Sequence, residues 1–181
     1  MANSFTSARD PGAVPVRMSN GRTAVVFDTV AIAGCARART DWERAAMLWL
    51  IEHDQTLIGL GMAGFDVGEL GWTAEGFREQ HAFLVAVLDD AASGVGWERL
   101  PFEPGEGVAP VIRELRDLVS RFTSAMIVDG DGAAGASVTA LPEAGTCEVH
   151  GTYLHELGCI VCNDAPIDSA PELRPHSTAH Q

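Results

Sequence analysis

Four side chains near the carboxyl end have the types and spacing to bind a metal ion. Cys147 and His150 stand three positions apart, and Cys159 and Cys162 repeat that interval, giving C-x2-H-x8-C-x2-C. Two donors three positions apart on a tight turn can converge on one ion. Two such turns supply the thiolate and imidazole ligands that tetrahedral zinc prefers. Gly151 follows the first pair and Gly158 precedes the second, where tight turns favour residues tolerant of positive φ. Asn163 suits a similar position after Cys162. His155 is a spare donor that could replace His150, but only His150 has the two-residue spacing to Cys147. Three cysteines and one histidine close the tetrahedron and leave no position for a reacting water, so the chemistry implied is structural.

The segment resembles the zinc-ribbon and zinc-knuckle modules carried by many bacterial proteins, over residues 147–162 only. The resemblance implies Cys147, His150, Cys159 and Cys162 as ligands of a structural Zn2+ and a docking or clamping role for the module. The eight-residue spacer is shorter than the hairpin that ribbons often carry, which leaves open a pair of knuckles without a three-stranded sheet. A zinc nucleobase deaminase is excluded, because Gly158 stands where P-C-x-x-C needs Pro and no H-x-E occurs.

Other chemical signals are weaker. The run Gly59-Leu60-Gly61-Met62-Ala63-Gly64 fits G-x-G-x-x-G, but a dinucleotide fingerprint needs a strand before it and a helix opening inside it. Here a helix precedes closely and more glycine follows, so a glycine-rich turn against the core is expected. A Walker lysine is impossible, since the chain has no Lys. Asp129-Gly130-Asp131-Gly132 lacks the later ligands of a calcium loop. His53 with Asp54, and His81 near Glu79, are acid–base pairs by type, and with Asp66 and Glu69 they would furnish an enzyme pocket around residues 53–81. His81 falls on an apolar helical stripe, where a satisfied core histidine is the simpler expectation. Cys35 stands alone and reads as a small buried hydrophobe. Trp72 and Trp97 lie beside glycines and could anchor a partner.

The elements that must position these groups follow from pattern. Residues 1–21 are small and polar without a period and are expected as a disordered arm. Thr23 to Ile32 is β-branched and apolar and reads as a buried strand. Thr40-Asp41-Trp42-Glu43 matches a capping box, opening a helix over about 41–53. A short strand or an irregular buried loop is expected near Thr56 to Leu60. Thr73 can cap a second helix over about 74–92, with Phe77, His81, Leu84, Leu88 and Ala91 on one face and a stop at Ser93-Gly94. Val95 to Phe102 reads as a short edge strand. Pro110 suits the first turn of a third helix, about 109–124. The fold class expected is α+β: a three-helix domain with two or three short strands over 22–126, a linker over 127–146, a small zinc-ribbon-like module over 147–164, and a disordered tail over 165–181.

Charge bounds the partners. Against 12 basic residues, all Arg, stand 25 acidic ones, a net charge of −13. From 40 to 128 there are 15 acidic residues against six Arg, a net of −9. Such a surface repels nucleic acid and anionic membranes and attracts a basic protein. The first residues hold no apolar signal core, and no run approaches the roughly 20 apolar residues of a membrane span, so a cytoplasmic protein is expected. The function expected is a non-enzymatic interaction protein with a structural zinc site. One concrete form is an acidic immunity-type inhibitor of a basic protein. An enzyme with the pocket above is the alternative. A zinc-ribbon regulatory or nucleic-acid-associated protein ranks last, since 147–164 holds Glu148, Glu156 and Asp164 and no Arg.

Overall fold

The computed structural model describes residues 2–53, 63–128 and 145–164. In chain order its elements are β1 (Ala2–Phe5), β2 (Val16–Ser19), α1 (Asn20–Arg37), α2 (Asp41–Ile51), α3 (Phe77–Ala92), α4 (Val108–Arg121), β3 (Leu154–His155), β4 (Gly158–Cys159) and α5 (Ile160–Asp164). The protein is mostly helical. Among the described residues four main helices carry it, with two small two-stranded antiparallel sheets. The three expected helices are present and a fourth is added, so the α+β expectation holds only in part. The expected strand or loop near 56–60, the expected tail and most of the expected linker lie outside the described residues.

The additional helix is α1, which takes the place of the strand expected over Thr23 to Ile32. Val26 to Cys35 are buried without a break. An apolar run buried on all sides carries no amphipathic period, so helix and strand look alike in it. The reason for the all-round burial is position: α1 packs against α2, α3, α4, α5 and both strands of the first sheet.

Residues 2–19 are a hairpin rather than a disordered arm. β1 and β2 pair antiparallel, with Phe5 opposite Val16 and Asn3 opposite Met18. All four of those side chains point into the core and are buried. The connecting loop is tied to α4, because both Asp10 carboxylate oxygens accept from Arg121, at 2.6 and 3.0 Å. The Arg121 guanidinium and the Gly12 N–H hold the Asp10 carboxyl below its ordinary value. A depressed carboxyl stabilises the fold above its unfolded-state value and loses that contribution as pH falls through the depressed one, so this tether weakens only in acid.

The capping box at α2 is present in full. Glu43 N–H donates to Thr40 Oγ1, and the Glu43 carboxylate accepts from Thr40 N–H at 2.9 Å. Thr40→Ala removes one half of that exchange. It is expected to lower stability by about 1 kcal/mol, read as an earlier urea midpoint at unchanged slope.

α3 starts three residues later than its pattern suggested. Thr73 accepts from Gly76 N–H in a turn ahead of it, while Gly76 takes the cap position. Its most buried face runs through Phe83, Leu84, Val87, Leu88 and Ala91, leaving Phe77 and His81 half-buried at the edge. Gly94 ends the helix with φ at +85°. The edge strand expected over 95–102 is instead a 3-10 turn at Trp97–Arg99. Gly94 and Gly96 both adopt positive φ, which curls the chain where a strand would need it extended. α4 keeps the predicted stripe, with Val111, Ile112, Leu115, Leu118 and Val119 buried and Arg113, Glu114 and Asp117 exposed. No helix among the described residues is long and apolar enough to cross a membrane.

Candidate metal centre

The carboxyl-terminal segment is built from two turns that face each other. In the first, Gly151 N–H donates to the Cys147 carbonyl and Cys147 N–H to the Thr152 carbonyl, both at 2.8 Å. The N–H groups of His150 and Val149 turn back onto the Cys147 sulfur. The second is the β3–β4 hairpin, pairing Leu154 with Cys159 and His155 with Gly158. It runs directly into α5, which presents Cys162. Gly151 and Gly158 close the two turns with φ at +70° and +107°, conformations that strain any side chain bearing a Cβ.

These turns gather Cys147, His150, Cys159 and Cys162, with all four donor atoms within 4.8 Å of one another. His150 Nδ1 lies 3.6 Å from the Cys147 sulfur, 3.4 Å from that of Cys159 and 3.4 Å from that of Cys162. The sulfurs of Cys147 and Cys162 are 4.0 Å apart. A disulfide would need about 2.05 Å, so these thiols are not bonded to each other. Tetrahedral zinc is the informative comparison. Zn–S bonds of about 2.3 Å and Zn–N bonds of about 2.0–2.1 Å give S···N edges of about 3.6 Å and S···S edges of about 3.8 Å. The four donors therefore stand close to the corners that a single ion requires, and the cluster can hold a metal ion.

His155 is not in the cluster. Its Nδ1 accepts from Leu157 N–H at 3.0 Å inside the hairpin turn. The electrostatics suit cation binding. Burial, and then the nearby Arg99 guanidinium, hold His150 below its ordinary value and so keep the imidazole neutral. Burial alone would raise Cys147, but the N–H groups of His150 and Val149, together with hydrogen bonds from the Cys159 and Cys162 thiols, bring it below its usual range. Partial desolvation of its sulfur, and then the sulfurs of Cys159 and Cys147 beside it, push Cys162 up to about 12 although the residue as a whole is exposed. The neighbouring sulfurs favour one thiolate, at Cys147, and oppose a further one at Cys162, and a divalent cation at their centre would reverse that opposition.

The segment does not hang free behind the helices. Cys159, Ile160 and Val161 belong to the same apolar core as α1 to α4. Tyr153 N–H meets the sulfur of Cys35 on α1, and the Tyr153 hydroxyl meets Arg44 on α2. Arg99 Nη1 donates to the His150 carbonyl at 3.4 Å. Burial lifts the Cys35 thiol to about 12, which suits a packing role and not a reactive one. Sequence reasoning missed three participants: Thr152, whose hydroxyl sits 3.2 Å from the Cys159 sulfur, Arg99, and the Cys35–Tyr153 contact. Thr152 lies inside the ligand segment and was open to suspicion. Arg99 and Cys35 are 51 and more than 100 positions away from the turns they touch, and no local pattern joins them.

The other candidate groups are engaged elsewhere. His53 Nδ1–H donates to the Trp49 carbonyl at 2.8 Å, and His81 Nε2–H to the Val119 carbonyl at 3.1 Å. Asp66 and Glu69 form a capping box on a short 3-10 turn, with Asp66 also accepting from Thr6 Oγ1 and Ala8 N–H. Asp54 and most of the glycine-rich run lie outside the described residues. The interior beside these groups holds an apolar cavity of about 30 Å3, lined by residues such as Phe5, Phe65 and Val67. Trp72 is no surface anchor: it is 7% exposed, donates to the Val67 carbonyl and stacks on Phe122. Trp97 is half-buried against the core.

Comparison of the chain with family models, with curated proteins and with solved structures finds no match.

Proposed function

We propose that this chain is a non-enzymatic interaction protein, that its Cys3His cluster holds a structural zinc ion, and that its acidic surface receives a basic protein partner. The observation that carries the zinc reading is the spacing of the four donors, which approximates the edges of one tetrahedron. A closed set of four protein donors leaves no site for a substrate or an activated water. The ion would then act through the fold, clamping 145–164 against α1 and α2. The enzyme reading has less behind it. Among the described residues His53, Asp66, Glu69 and His81 each serve a local structural bond, and the cavity near them has an apolar lining.

The partner reading rests on charge. Several arginines are already engaged by acids of the chain itself: Arg37 with Asp90, Arg116 with Asp89 and Arg121 with Asp10. Such pairing neutralises part of a small basic complement in a chain whose net charge is −13. Long-range attraction of this kind steers a basic protein and weakens with salt. Immobilised full-length chain is expected to capture a basic protein from lysate at low ionic strength and to release it at high salt. Capture of nothing basic at low salt would count against the partner reading while leaving the zinc reading intact.

A further inference from the structure

The three sulfurs of the cluster are not equally reachable. Cys159 is 5% exposed, and its sulfur carries the Thr152 hydroxyl at 3.2 Å. Cys162 is exposed and Cys147 partly so, and their sulfurs stand 4.0 Å apart on the open side of the cluster. Sequence alone would pair Cys159 with Cys162, the two cysteines of a C-x-x-C. The geometry favours a different pair.

We propose that Cys162 is an oxidation site and that a peroxide converts the centre into a Cys147–Cys162 disulfide, so that the metal is released. The proposal rests on the structural-zinc reading above. In the first step the Cys162 sulfur, which metal binding would hold as the thiolate, attacks one peroxide oxygen. An S–O bond forms, the O–O bond breaks, and the departing oxygen takes a proton and leaves as water, giving the sulfenic acid. In the second the Cys147 thiolate attacks the Cys162 sulfur. The S–S bond forms, the S–O bond breaks, and hydroxide leaves with a proton as a second water. Two electrons pass from the two thiolates to the peroxide. The sulfurs have about 2 Å to close, and they sit on separate elements, Cys147 on the first turn and Cys162 on α5. Cys159 is withheld from both steps by burial and by the Thr152 hydroxyl. With two donors consumed, Cys159 and His150 no longer close a tetrahedron.

The test uses the full chain loaded with zinc. Metal content is measured first, then hydrogen peroxide is added beside a zinc indicator, and remaining thiols are alkylated. Cleavage after Glu148 and Glu156 places Cys147 on one peptide and Cys159 with Cys162 on another. The expected result is loss of the bound zinc together with a cross-linked peptide pair, its Cys147 joined to Cys162 and its Cys159 alkylated. Reductant and fresh zinc should restore the starting content. A disulfide within the 159–162 peptide, a sulfinic acid without a cross-link, or zinc retained at peroxide levels that oxidise a free thiol would overturn this proposal alone. A chain that neither carries zinc nor takes it up would overturn the zinc reading and this proposal with it.

Discussion

Chelation of the metal is expected to release residues 145–164 from the core while α1 to α4 stay folded. The size of the competing terms decides this. Of the segment's side chains, Ile160 and Val161 are the aliphatic ones buried to within 1%. Each contributes about 1.5–3 kcal/mol of burial. Ordering one backbone residue costs about 1–2 kcal/mol, and the segment has 20 residues, so apolar docking does not hold it. Structural zinc contributes about 10–16 kcal/mol in small finger peptides, several times what the two aliphatic side chains supply. Hydrogen exchange reads the outcome locally. With EDTA, the amides of Cys147, Gly151 and Leu154, which bond within the segment, should lose protection, while those along α1 keep it. Cys159→Ser should behave as the chelated protein does at any zinc concentration. The same release is expected in acid, because binding displaces thiol protons. Cys162, held up to about 12 by partial desolvation of its sulfur and by Cys159 and Cys147, gives up its proton to the cation, so affinity rises with pH. Unchanged protection under EDTA would mean that packing alone fixes the segment.

What could be read in advance divides along a physical line. Features set by neighbours in sequence were legible: the Thr40–Glu43 capping box, the Gly94 stop, the stripe of α4 and the turns that gather Cys147, His150, Cys159 and Cys162. Each depends on residues two to four positions apart. Features set by distant neighbours were not. Val26 to Cys35 look like a strand because burial on every side erases the helical period, and that burial comes from four other helices and a sheet. The Trp97 turn was hidden because two glycines tolerate both extended and curled chain, and packing chooses. Arg99 and Cys35 join the metal segment through contacts that no spacing rule encodes.

The amino-terminal hairpin is the sharpest case of tertiary override, and it predicts a large effect. Its strands have four residues each, too few for a pattern to stand out, and their apolar content is little more than Phe5, Val16 and Met18. Yet Phe5 is fully buried, edge-on to Phe27 of α1 with centroids at 5.9 Å and to Phe65 at 5.1 Å. Truncating a buried phenylalanine costs about 3–5 kcal/mol, from lost transfer energy and from the cavity left behind. An ordinary domain has only about 5–15 kcal/mol in total. Phe5→Ala should therefore shift the urea midpoint more than any single surface change, whereas Val14→Ser, at a loop position 79% exposed, should stay within about 0.5 kcal/mol of the parent. The pair separates two meanings of an amino-terminal segment. If residues 2–19 only decorated the helices, both substitutions would be silent. If they complete the core, the first substitution removes the ring that joins α1 to the chain around Phe65, and the loss appears in the global transition rather than as local fraying.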